Sequence, residues 1–152
     1  FRSKCFQIFY ESVFITKYLD SPNQPLFPFG YGLSYTTFEY SEIQMEDKQL
    51  TRDGKLNVSV KVKNTGKYKG TETVQLYIRD LVASVTRPVK ELKSFRKVEL
   101  KPGEEKKVEF VITEKDLRFW NDKKQFISEP GKFHLFIGTD SENVKKAEFV
   151  LL

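Results

Sequence analysis

The chain has 152 residues, of which 39% are hydrophobic and 14% are aromatic. This length and composition suffice for one domain with a hydrophobic core and a short appendage. The 26 basic and 21 acidic residues give a formal net charge of +5, and the lysines are dispersed along the chain. Dispersed charge indicates a solvated surface with protected strand edges, and it argues against a nucleic-acid interface.

Residues 1–24 contain scattered aromatic and apolar side chains that follow neither a helical nor an alternating period. The charges spread through residues 1–20 do not match a secretory signal peptide. No apolar run is long enough to suggest a membrane span, so we expect no membrane partner. Cys5 is the only cysteine and therefore has no intrachain disulfide partner. The sequence predicts an extended N-terminal arm here.

Residues 25–38 combine five aromatic residues with two prolines and two glycines. Pro25 and Pro28 fix φ and lack a backbone donor, whereas Gly30 and Gly32 permit a positive φ, so no regular element is expected around them. Flexible linkers are rich in glycine, serine or charge, and this stretch is too apolar for that class. Its rings are therefore expected to pack on a neighbouring surface.

From Thr36 onward the sequence predicts short strands separated by turns, such as those at Asp53 and at Pro102. Thr113 is a plausible N-cap for a single helical turn. Alternation in three runs predicts the following inward-facing residues: Leu56, Val58, Val60 and Val62; Val74, Leu76 and Ile78; Val108, Phe110 and Ile112. About seven to eight strands without a long helical period predict an all-β, two-sheet antiparallel sandwich of the immunoglobulin or fibronectin type III kind.

Large aromatic side chains should supply part of the core of such a sandwich. We predict that Phe95, Phe119 and Trp120 lie between the two sheets. His134 alternates with Phe133 and Leu135 and should lie on an outer face.

The sequence LFPFGYGLSYTTF at residues 26–38 is the most distinctive motif of the chain. It resembles the opening of the C-terminal fibronectin type III-like domain of glycoside hydrolase family 3 enzymes, of the bacterial periplasmic β-glucosidase type. The likeness covers residues 16–152 and continues through residues 62–66, 70–77, 87–95, 100–104 and 129–139. It implies an arm and aromatic interdomain linker at residues 1–33, followed by a sandwich domain at residues 34–152.

In that family the two catalytic carboxylates lie in a preceding barrel and a preceding α/β domain. The resemblance therefore implies that this chain alone is not an enzyme, and that it is an accessory domain that docks on those two domains. It also implies a periplasmic or secreted location in a bacterium. The docking residues we predict are Leu26, Phe27, Phe29, Tyr31, Leu33 and Tyr35, together with Arg79 and Arg87 around the loop at residues 80–89. Separated from its partner, the chain should show some self-association.

Other functions need a site that the sequence does not clearly supply. Glycoside hydrolysis needs two carboxylates at a set spacing. With 21 acidic residues such a pair is expected by chance, so it is no evidence of a catalytic site. A single histidine, His134, does not make a metal site, and no cofactor motif is present, so we expect neither metal nor cofactor. Two alternatives stay open: a carbohydrate-binding module using Tyr31, Tyr35, Tyr68 or Tyr77, and an immunoglobulin-like adhesion or assembly domain.

Overall fold

The computed structural model describes residues 25–152, so the predicted arm at residues 1–24, including Cys5, lies outside the described residues. Within residues 25–152 the chain forms strands and one short 3₁₀ turn, and no α-helix. The elements are β1 (Phe38–Tyr40), β2 (Gln44–Met45), β3 (Gln49–Leu50), β4 (Lys55–Asn64), β5 (Gly70–Asp80), β6 (Glu91–Leu100), β7 (Glu105–Thr113), the 3₁₀ turn (Glu114–Leu117), β8 (Phe119–Trp120), β9 (Phe126–Ile127), β10 (Gly131–Gly138) and β11 (Val144–Leu151). In this part of the chain no helix is long and apolar enough to cross a membrane.

The strands form two main sheets. In sheet A, β4 pairs with β7 on one side and with β1 and β2 on the other. Sheet B has the order β3-β11-β10-β5-β6 and is antiparallel except for the β3–β11 pair. β8 and β9 form a separate hairpin. The predicted two-sheet sandwich is confirmed, and the larger number of strands comes from β2, β3, β8 and β9, each too short to leave an alternating pattern.

The core lies between the facing sides of sheets A and B. All ten residues predicted to face inward on β4, β5 and β7 are buried there. Sheet B adds the stacked rings of Phe133 and Phe149, whose centroids lie 5.3 Å apart. This period-2 burial on both sheets is the packing that holds the sandwich together.

The core prediction is wrong for Phe95 and Trp120, which are 57% and 66% exposed. Phe119 is buried, but it lies under the Arg87 guanidinium and is not part of the core cluster between the sheets. Trp120 follows Phe119 on β8, and successive strand residues point to opposite sides. Phe95 lies on β6, the edge strand of sheet B, opposite Gln75 rather than opposite an inward residue of β5.

Turn chemistry matches its prediction at two places. Gly103 adopts φ +76°, and the N–H of Glu104 donates to the carbonyl of Lys101 at 3.0 Å. Thr113 is the N-cap residue of the 3₁₀ turn, and the Asp116 side chain folds back on it, accepting from its N–H and its hydroxyl at 2.7 Å.

Candidate functional site

The outer face of sheet B, the side turned away from the core, carries buried residues. Gln75 and Tyr77 of β5 alternate with the core residues of that strand, and Phe136 of β10 does the same on its own strand. They therefore point away from sheet A, yet all three are buried, Tyr77 to 1% exposure. Another part of the chain must cover them.

The aromatic segment, residues 25–35, covers Gln75 and Tyr77, whereas Phe136 lies against Lys90 and His134. The Phe29 carbonyl accepts a hydrogen bond from the N–H of Ser141 at 2.9 Å, and the Gly30 carbonyl accepts one from Nε2 of Gln75 at 3.0 Å. The Phe29 ring meets Tyr77 edge-on, with centroids 6.4 Å apart and planes at 80°. The backbone of the segment is thereby fixed to the sheet.

Gly30 allows this close approach. Its φ is +82°, a conformation that side chains rarely adopt. A Cβ atom at this position would lie 2.2 Å from Oε1 of Gln75, so any larger residue would force the Gln75 amide out of its hydrogen-bonded position. The neighbouring turn is closed by a hydrogen bond from the N–H of Tyr31 to the Pro28 carbonyl at 3.1 Å.

Gln75 connects three parts of the chain beneath the aromatic segment. Besides Gly30, its Nε2 donates to the Thr139 carbonyl, and its Oε1 accepts from the Tyr77 hydroxyl at 2.6 Å. Lys90 helps to position Ser141, the residue whose N–H bonds the Phe29 carbonyl. Its ammonium donates to the Ser141 carbonyl and lies 4.9 Å from the Phe136 ring centroid. The segment is thus a well-anchored layer on the sheet.

The side of the segment turned away from the sheet is exposed. The Phe27 and Tyr31 rings lie against each other, with centroids 5.0 Å apart. The six predicted docking residues of the segment are between 44% and 97% exposed: Leu26, Phe27, Phe29, Tyr31, Leu33 and Tyr35. An exposed apolar patch of this kind on an ordered backbone is typical of an interaction surface.

Strand β6 extends the patch in a way that the sequence pattern did not reveal. Leu92 pairs with Tyr77 and Phe95 pairs with Gln75, so both lie on the outer face, and both are exposed. They are three residues apart, which strict alternation would place on opposite faces. A register shift between Leu76 and Tyr77 adds one residue to β6 and brings them to the same face.

The two predicted arginines lie in different environments. Arg79 pairs with His134 across β5 and β10, so both belong to the outer face of sheet B. Arg87 instead points into its own domain, where its guanidinium bonds Glu91 at 2.6 Å and lies 4.4 Å from the Phe119 ring centroid. Of the two arginines, Arg79 therefore lies on the sheet face that carries the aromatic segment, and Arg87 is engaged within the domain.

His134 is on the outer face, as predicted, and its Nε2 lies 3.0 Å from a Glu148 oxygen. Burial and the charge of Lys146 lower the pKa of His134, while Glu148 opposes them. No group of three or more possible metal ligands occurs among residues 25–152.

One acidic group with a raised pKa lies inside the sandwich. Glu72 accepts a hydrogen bond from the Tyr40 hydroxyl at 2.8 Å. Burial raises the pKa of Glu72, the bond from Tyr40 lowers it, and the charge of Asp140 raises it further. Burial, followed by the charge of Glu72, raises the pKa of Tyr40 well above its ordinary value. Burial is the main cause of both shifts, and the hydrogen bond between the two side chains joins sheet A to sheet B.

The tyrosines considered for sugar stacking differ in exposure. Tyr77 is buried beneath the aromatic segment, whereas Tyr35 and Tyr68 are exposed. Tyr31 packs on Phe27 within the segment.

Comparison with known proteins identifies the family of this domain. Residues 72–141 match the model of the fibronectin type III-like domain. This chain contains a fibronectin type III-like domain of the glycoside hydrolase family 3 kind. The resemblance predicted from residues 26–38 is confirmed, because most of this chain matches part of known β-glucosidases.

Two curated relatives illustrate the match. The periplasmic beta-glucosidase of Salmonella typhimurium is 50% identical over 139 residues, which make up 91% of this chain and 18% of that protein. Beta-glucosidase BoGH3A of Bacteroides ovatus is 55% identical over 123 residues, or 80% of this chain and 16% of that protein. The chain thus spans less than a fifth of the length of these relatives.

Solved structures agree with the fold. The β-glucosidase of Listeria innocua in complex with glucose matches with a TM-score of 0.84 and 41% identity, over 95% of this chain and 20% of that one.

Proposed function

We propose that this chain is a non-catalytic accessory domain of a β-glucosidase-like glycoside hydrolase, which binds the catalytic domains and stabilises them. One observation carries the proposal: the aromatic segment has a backbone fixed to sheet B but presents its rings to solvent. A segment that served only the sandwich would turn those rings inward. The partners we propose are the catalytic barrel and α/β domains of a parent enzyme, in a periplasmic or secreted setting.

The energetics favour binding through this surface. Full burial of a large apolar side chain is worth about 1.5–3 kcal/mol, and Phe27, Phe29 and Tyr31 are available together. Their backbone is already ordered by the bonds to Ser141 and Gln75, so binding loses less conformational entropy than it would with a flexible linker. Preorganised rings therefore give a firm attachment.

The proposed docking face includes more than the aromatic segment. Leu92 and Phe95 flank it on β6, and Arg79 lies on the same side of sheet B. Leu26, Leu33 and Tyr35 extend the exposed surface along the segment. Arg87 contributes from inside the domain, by holding the loop between β5 and β6 through Glu91.

Hydrolysis of an aryl β-glucoside tests the proposal. We expect no hydrolysis by this chain alone, and a gain in rate or thermal stability when it is mixed with the Salmonella typhimurium enzyme lacking its matching region. As a matched control, the same mixture would receive the chain with Phe27→Ser and Phe29→Ser, which should restore much less. Hydrolysis by the chain alone would overturn the assignment as an accessory domain, and equal rescue by the double variant would overturn docking through the segment.

A further inference from the structure

A small cavity lies beneath the loop of residues 81–90, between the end of β5 and the start of β6. Its volume is about 10 Å³. Its polar walls come from Asp80, Arg87, Glu91 and Lys93, and its apolar floor includes Leu117 and Phe133.

Two residues that line this cavity each carry a buried polar atom with no hydrogen-bond partner within residues 25–152: Oδ2 of Asp80 and Nε of Arg87. Each side chain has another atom that does form a hydrogen bond. Oδ1 of Asp80 accepts from the N–H of Val82 at 3.1 Å, and Nη2 of Arg87 donates to Glu91 at 2.6 Å.

The two atoms are complementary. A carboxylate oxygen only accepts hydrogen bonds and the Nε–H of arginine only donates them. Within the described residues the ion-pair partner of Arg87 is Glu91, and no direct pair joins Arg87 to Asp80. Buried polar groups nearly always have a partner in a protein, and a space of roughly 10–15 Å³ is enough for one water molecule.

We propose that this cavity is a binding site for a single water molecule, which donates to Oδ2 of Asp80 and accepts from Nε–H of Arg87. Asp80 is the last residue of β5, and Arg87 lies near the far end of the loop, so the water joins the two ends. The water's second hydrogen faces Glu91, the remaining acceptor side chain of the wall. The loop it fixes presents exposed Val82 and Val89 at the surface. This site belongs to the chain alone and does not depend on the proposed docking.

A crystal structure of the 152-residue chain tests the site directly. We expect one ordered water within hydrogen-bond distance of both Asp80 and Arg87. An empty cavity, or a direct contact between the carboxylate and the guanidinium, would overturn the proposal.

Nuclear magnetic resonance on ¹⁵N-labelled chain gives a readout in solution. The Nε–H of Arg87, assigned from its loss in Arg87→Lys, should exchange slowly and show a cross-peak to a bound water. Asp80→Leu removes the acceptor and fills the cavity, so the cross-peak should disappear. Val82→Ala, in the same loop but exposed, should retain it. Fast exchange of this proton in the wild-type chain, or the same water cross-peak in Asp80→Leu, would contradict the site.

Discussion

The outer faces of the two sheets differ sharply in chemistry. On sheet A, the outward residues of β4 and β7 form surface ion pairs, such as Lys61 with Glu105 at 3.2 Å and Lys107 with Glu109 at 2.6 Å. On sheet B, the outward residues Gln75, Tyr77 and Phe136 are buried, the first two of them beneath the aromatic segment, which itself exposes more rings.

An antiparallel sheet can leave one face in water, and sheet A does so. Sheet B instead carries a second apolar layer on its outer side. The domain is therefore asymmetric: the outer face of sheet A is suited to contact with water, and the outer face of sheet B is suited to contact with a protein partner. The following variants test that asymmetry.

The largest effect is expected when the rings of the outer layer are removed in an assembled enzyme. In a chimaera that carries residues 16–152 in place of the matching region of the Salmonella typhimurium enzyme, Phe27→Ser with Phe29→Ser should lower thermal stability. Two fully buried rings correspond to about 3–6 kcal/mol. Calorimetric melting measures the change.

The matched control lies on the other sheet. Lys61→Ser in the same chimaera removes one exposed ion pair and should change stability by no more than about 1 kcal/mol. Equal losses of thermal stability in the two variants would contradict the asymmetry between the outer faces of the sheets.

The inner side of sheet B should be sensitive without any partner. Phe149 is buried and stacked on Phe133, so Phe149→Ala should lower the free energy of unfolding of the chain itself by about 3–5 kcal/mol. Urea unfolding of the isolated chain measures it. A loss below about 1 kcal/mol would mean that the two rings do not pack as described.

The attachment of the aromatic segment depends on Gly30. Gly30→Ala places a Cβ against Gln75 and requires a positive φ, which costs roughly 1–2 kcal/mol before any collision. We expect the segment to lift from sheet B, which increases the solvent exposure of Tyr77. Tyrosine accessibility to a small quencher and thermal melting report this change.

Gly32 supplies the control for that substitution. It has open space around it and no positive φ, so Gly32→Ala should leave both readouts near the wild-type values. A segment that stays in place in Gly30→Ala would show that its close approach to Gln75 is not required.

The smallest effect concerns the interior rather than either outer face. Burial raises the pKa of Glu72 above its ordinary value of 4.5. The folded chain then binds this proton more tightly than the unfolded chain, so the free energy of unfolding falls as pH rises through the interval between the two pKa values.

Glu72→Gln removes the titration while keeping an oxygen that accepts from Tyr40. We expect the variant to match the wild-type chain in acid and to exceed its stability near neutral pH. Urea unfolding between about pH 4 and about pH 8 follows the difference. A difference that does not grow with pH would contradict the raised pKa.

The sequence was sufficient for features that depend on local pattern. Alternation placed the inward residues of β4 correctly from Leu56 to Val62, and a glycine identified the turn at Gly103. Features that depend on contacts between distant parts of the chain could not be predicted from the sequence. The register shift that brings Leu92 and Phe95 to one face belongs to strand pairing, and the burial of Gln75 depends on Gly30, 45 residues away.

The decisive measurement is hydrogen–deuterium exchange, compared between the isolated chain and the same residues inside the chimaera. Docking through the outer face of sheet B predicts added protection in residues 26–35 and 91–96, with little change along β4 and β7 of sheet A. Equal protection of these segments in both samples, or added protection confined to sheet A, would contradict a docking role for the aromatic segment.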